Sequence, residues 1–81
     1  MKKRTLQELV QETGDLANFV RSKRKILGYT QFELSKRIGV GLRFLKELEL
    51  GKPTLKMDKV NQVLNYFGYE LGPVLKKRNL D

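Results

Sequence analysis

The sequence predicts an all-α fold, a bundle of four to five short helices followed by a short C-terminal β-strand. Three observations carry this expectation. Apolar residues recur at i, i+3 and i+4 through most of the 81 residues. A glycine (Gly14, Gly28, Gly39, Gly51, Gly68) stands at the end of each periodic run, where a helix stop is favoured. Asp or Thr stands just before several of the runs, in N-cap position. A chain of this length forms one domain and buries only about 60% of its unfolded surface, so self-association is the expected support for a small core.

The elements follow in order. In "TLQELVQETG" Thr5 and Glu8 have capping-box spacing and Leu6, Leu9 and Val10 share a face, which predicts a short helix over about 5 to 12. "DLANFVRSKRKILGYT" offers Asp15 as N-cap, repeats apolar groups at Leu16, Phe19, Val20 and Leu27, and carries a basic face of Arg21, Lys23 and Lys25. Thr30 and Glu33 repeat the capping-box spacing, predicting a helix from about Gln31 to Arg37 with Leu34 and Ile38 inward. "GLRFLKELELGK" gives the next, closed by Gly51 and Pro53. "KMDKVNQVLNYFG" gives the last, with Met57, Val60, either Val63 or Leu64, and Phe67 spaced for burial.

"YELGPVLKKRNLD" breaks the pattern, because Gly72 and Pro73 interrupt any helix. Tyr69, Leu71 and Leu75 alternate onto one side, as in a short edge strand. Such a strand lacks a partner in its own chain and would pair with its copy across a two-fold axis, making Tyr69, Leu71, Val74 and Leu75 dimerisation residues. A disordered tail ending in Lys76-Lys77-Arg78 is the other reading. The chain thus divides into an N-terminal extension (1–14), a helical domain (15–68) and a C-terminal strand with a basic tail (69–81).

Composition bounds the function. With no Cys and no His, thiol chemistry, thiolate metal sites and the commonest general base are absent, so no catalytic residue, metal or other cofactor is expected. The net charge of +8 points to a polyanionic partner. That charge is concentrated: eleven basic residues face four acidic ones up to Lys46, and six face five beyond it. No apolar run reaches the roughly 20 residues that span a bilayer, and the first residues lack a signal-peptide centre, so the expected location is the cytoplasm without membrane attachment.

The densest information lies in Tyr29 to Lys52, where two helical runs are separated only by Gly39-Val40-Gly41. Leu34, Ile38, Val40, Leu45 and Leu48 form a continuous apolar set, Ser35 is small where helices would touch, and Gly39 occupies the bend. This spacing sets two helices at a steep angle and leaves the second projecting, able to enter a DNA major groove about 12 Å wide. With Leu45 and Leu48 inward, Arg43, Lys46, Glu47 and Leu50 fall outside. Arg43 has the geometry to take guanine O6 and N7, and Lys46 reaches a base edge or a phosphate. Leu42 suits either a thymine methyl or partial burial. Gly41, Leu42, Arg43 and Lys46 are therefore the expected base contacts. Thr30, Gln31 and Phe32 open a helix whose N–H groups suit a phosphate oxygen, and Arg21, Lys36, Arg37 and Lys52 are the expected charged phosphate contacts.

Arg24 followed by Y-T-Q-x-E-L-S-x3-G-V-G-x3-L-x2-L-E-x-G-K resembles the Cro/CI-type, or Xre, helix-turn-helix family over residues 16 to 68. The resemblance implies a lambda-repressor-like bundle and a structural ion pair between Arg24 and Glu49. "GVGLRFLKELELGKPTLKMDKVNQVLNYFGYEL" is similar to the HipB-like branch, in which the module is the antitoxin of a toxin-antitoxin operon and holds a HipA-type kinase. That likeness implies a homodimeric repressor with a double-stranded operator and a kinase toxin as partners, and a C-terminal strand paired across the dimer. A stand-alone Xre regulator, or a module acting mainly through protein binding, is the rival expectation. This sequence departs from the best-known HipB-like proteins at Gly41 and Leu42, where they begin the recognition helix with polar groups.

Overall fold

A computed structural model describes residues 15–74, and four helices order them: α1 Leu16–Leu27, α2 Gln31–Ile38, α3 Leu42–Glu49 and α4 Met57–Tyr66. The expected helix over 5 to 12, the basic tail and Leu75 lie outside the described residues.

Each helix is delimited by local chemistry. Asp15 caps α1, its carboxylate accepting the Ala17 N–H at 2.9 Å, and Gly28 ends it at φ 75°. The α2 entry is a closed capping box: Thr30 Oγ1 accepts the Glu33 N–H at 3.0 Å while Glu33 Oε1 accepts the Thr30 N–H at 2.8 Å. At the α2–α3 bend Gly39 adopts φ 90°, a conformation a β-carbon resists. There the N–H groups of Gly39 and Val40 both donate to Ser35 O, at 2.9 and 3.1 Å, so the chain turns within three residues without stranding its backbone.

Phe19, Val20, Leu34, Val40, Leu45, Leu48, Val60, Val63 and Leu64 make one core, with Leu16, Tyr29, Ile38, Phe44, Leu55, Phe67 and Leu71 packed on it. Leu34, Leu45 and Val63 are fully buried, and a leucine buried this way contributes about 1.5–3 kcal/mol. The third helix packs on α1 and α2, and α2 also meets α4. Buried Ser35 is satisfied because its hydroxyl donates to Phe32 O at 2.8 Å, and Gln62 Nε2 ties α4 to the end of α2 by donating to Ile38 O at 3.2 Å.

Three expectations are corrected. Leu27 and Met57 are 47% and 69% exposed rather than buried, since each lies at a helix end beyond the packing surface. The C-terminal strand is not formed among the described residues. The Tyr69 N–H closes the end of α4 by donating to Leu64 O at 2.9 Å, and the Leu71 N–H donates to Asn61 Oδ1 at 2.7 Å. Backbone donors that a strand would offer to a neighbour are thus spent within the chain. Of the expected dimerisation residues, Tyr69 sets its ring edge-on to Phe19 with centroids 4.7 Å apart, Leu71 packs on the core, and Val74 is 87% exposed.

Candidate nucleic-acid interface

The third helix divides into an inner and an outer side. Leu45, Leu48 and Glu49 are buried, while Leu42 and Phe44 are half-buried at its first turn. Outward, one row runs Arg43, Lys46, Glu47 and Leu50, at i, i+3, i+4 and i+7. The Arg43 side chain is 93% exposed, Lys46 is exposed and has no ion pair with another described residue, and Leu50 is 84% exposed. Glu47 lies between two cations: its Oε2 is 3.6 Å from Arg43 Nε and 3.2 Å from Lys52 Nζ. Gly41 occupies the N-cap and supplies no side-chain cap, so the first N–H groups of the helix open toward the same end.

What fixes this helix is a polar clamp beneath it. Arg24 on α1 grips Glu49 with two bonds, Nε to Oε2 and Nη2 to Oε1, both 2.9 Å. Arg24 Nη1 also donates to Tyr29 O at 2.9 Å. The carboxylate beside it holds the guanidinium more firmly protonated than usual, against the opposing effect of burial. Gln31 Nε2 adds a third donor to Glu49 Oε1 at 3.1 Å. Arg21 donates through Nη2 to Glu49 O, in the last turn of α3 where a cation is favoured, and through Nη1 to Asn18 Oδ1 at 2.8 Å. Arg21 and Gln31, expected at phosphates, therefore have intramolecular tasks as well. Sequence reasoning missed the Arg21 cap because its acceptor is a main-chain atom 28 residues away, which no spacing rule reaches.

The remaining expected phosphate contacts gather around α2. Thr30 Oγ1 caps the helix by accepting the Glu33 N–H, and its hydroxyl faces the Glu33 carboxylate, so Thr30 too has an intramolecular task. The Glu33 carboxyl is held below the usual carboxylate range by the Thr30 N–H and hydroxyl, so it stands ionised at this N-terminus. Phe32 is 55% exposed, with Lys36 Nζ 5.3 Å from its ring centroid. Arg37 lies over the Tyr29 ring at 4.5 Å, a stack that limits its rotamers and keeps its charge at the surface. Lys52, just past α3, is 44% exposed beside Glu47.

Two short helices joined at a glycine bend, the second anchored from below and charged on its outer side, define a helix-turn-helix module. The chain belongs to the helix-turn-helix domain family, which matches residues 17–80. It is 44% identical over 59 residues to the "Uncharacterized HTH-type transcriptional regulator y4mF" of Sinorhizobium fredii, an alignment covering 73% of this chain and 78% of the relative. No solved structure matches the chain. Among the described residues no helix is long and apolar enough to cross a membrane.

Proposed function

We propose that this protein is a sequence-specific DNA-binding transcriptional repressor, a binding module rather than a catalyst, acting in the cytoplasm as a homodimer on a double-stranded operator. The observation that carries this is the outer row of α3, where Arg43 and Lys46 stand exposed on a helix whose other side is fixed in the core. The name of the Sinorhizobium relative supports the same role. In this reading Gly41, Leu42, Arg43 and Lys46 meet base edges. Thr30, Gln31, Phe32, Arg21, Lys36, Arg37 and Lys52 hold the phosphates, fixing register without reading sequence. Two copies related by a two-fold axis address half-sites about 34 Å apart.

Selection from random duplexes, followed by gel shifts across salt concentrations, tests the proposal. A repeated half-site should emerge, and log affinity should fall with log salt at a slope near −0.9 per phosphate contacted. Sedimentation of the free chain tests the dimer. A finer reading makes the repressor the antitoxin of a HipBA-like operon, and it rests on the resemblance of residues 39–71 to HipB-like proteins. Co-purification with a HipA-type kinase, and loss of that kinase's activity in the complex, tests it. A chain that captures the kinase but shifts no duplex at low salt would instead be a protein-binding module.

A further inference from the structure

Glu47 is the one acidic side chain in the outer row of α3, and a lone carboxylate there would repel the polyanion that the row is proposed to meet. The structure removes the repulsion locally. Arg43 Nε at 3.6 Å and Lys52 Nζ at 3.2 Å share Glu47 Oε2, so the trio carries one net positive charge. The Glu47 side chain nevertheless remains 28% exposed, and its second oxygen, Oε1, takes no bond from another described residue. Arg43 Nε stands 3.6 Å from Glu47 Oε2, beyond hydrogen-bond distance, so the arginine is held there by charge alone.

We propose that Glu47 is a specificity-determining residue that accepts a hydrogen bond from the N4 amino group of a cytosine in the major groove. This rests on the DNA-binding reading above and names part of what that site selects. A carboxylate only accepts, and cytosine N4 and adenine N6 are the only donors on the major-groove edges. Adenine presents its N7 acceptor beside the amino group, which suits an amide and repels a carboxylate, so cytosine is the base that fits. Glu47 lies one turn beyond Arg43, about 6 Å along the helix. The cytosine therefore stands one or two base pairs from the guanine that Arg43 takes, given the ~3.4 Å spacing of stacked pairs. Lys52, bound to the same carboxylate, keeps it extended along the row and compensates its charge when Arg43 turns to the base.

The experiment is duplex selection with the full chain and with Glu47→Gln, scored by base preference and by affinity on the selected site. Glu47 is on the surface, and an unchanged melting curve shows that the variant folds. The wild type should enrich cytosine at one position in each half-site. Glu47→Gln should lose that preference by at least about fivefold and shift it toward adenine, which an amide recognises. If the variant binds every duplex more tightly with unchanged base preferences and a steeper salt slope, Glu47 is only a counter-charge and the proposal fails. If the wild type selects no sequence at all, the DNA-binding reading fails with it, and the two failures are distinguished by the wild-type result alone.

Discussion

Arg24 and Glu49 join α1 to the last residue of α3 through two parallel hydrogen bonds of 2.9 Å, with their side chains only 14% and 3% exposed. The pair sets the seat of α3: among the described residues, the hydrogen bonds from α1 to α3 come from Arg24 and from Arg21, and both end on Glu49. Removing one partner strands the other in the interior. Glu49→Ala should lower stability by about 3 kcal/mol and the melting temperature by more than about 10 °C. The double variant Arg24→Met/Glu49→Leu should recover most of that loss, since apolar residues of similar size remove both buried charges. Urea titration of the wild type and the two variants checks the order.

The capping box at α2 makes stability depend on pH in a stated direction. The Glu33 carboxyl sits below its ordinary value because it accepts the Thr30 N–H and is drawn further by the Thr30 hydroxyl. A lowered carboxyl stabilises the fold above the usual carboxylate range and loses that contribution as pH falls through the lowered value. The difference between wild type and Glu33→Gln should therefore be present at neutral pH and vanish in acid, measured by urea midpoints. Thr30→Ala should cost about 1 kcal/mol at neutral pH through the lost cap.

The helices were legible in the sequence because their ends are written in short-range chemistry. Thr30 with Glu33, and Gly28 or Gly39 at φ 75° and 90°, act within four residues of the bonds they make. Periodicity was less informative at helix ends. Leu27 and Met57 match the apolar spacing yet protrude, while Ala17, too small to stand out, is 4% exposed. The tail misled because alternation at Tyr69 and Leu71 fits a strand and also fits a chain folded back on Phe19 and Asn61. At the interface, spacing selected the outer row of α3 but said nothing about which polar groups were already engaged. That Gln31 and Arg21 turn to Glu49 depends on the approach of three helices, and such contacts leave no periodic signal.

The bend between α2 and α3 should be intolerant of a β-carbon for backbone rather than packing reasons. A β-carbon on Gly39 would meet its nearest neighbour, Gln62 Nε2, at 3.6 Å, an ordinary contact. Its φ of 90° is the obstacle. Gly39→Ala should cost about 1–2 kcal/mol, and Gly39→Asn less, because asparagine enters the left-handed region more readily. Equal losses in the two variants, read by thermal melting, would point to crowding instead.

Base reading and phosphate holding should separate between Arg43 and Arg37. Arg43 is 93% exposed on the outer row and, among the described residues, paired only with Glu47 at 3.6 Å, so its guanidinium is available to a base edge at small intramolecular cost. Arg37 is on α2, stacked over Tyr29 at 4.5 Å, where its charge is held at the surface but off the outer row of α3. Arg43→Ala should therefore cost about 1–3 kcal/mol on the selected operator, with the loss confined to one base pair per half-site and specificity relaxed there. Arg37→Ala should weaken all duplexes alike and reduce the salt slope by about 1 per protomer. Tyr29→Leu should act in the same uniform direction as Arg37→Ala but more weakly, because the stack orders the arginine without touching DNA itself. Binding isotherms on the operator, on single-base variants of it and on an unrelated duplex measure all three. A uniform loss from Arg43→Ala would reduce that residue to a phosphate contact, and a base-specific loss from Arg37→Ala would move the reading surface toward α2.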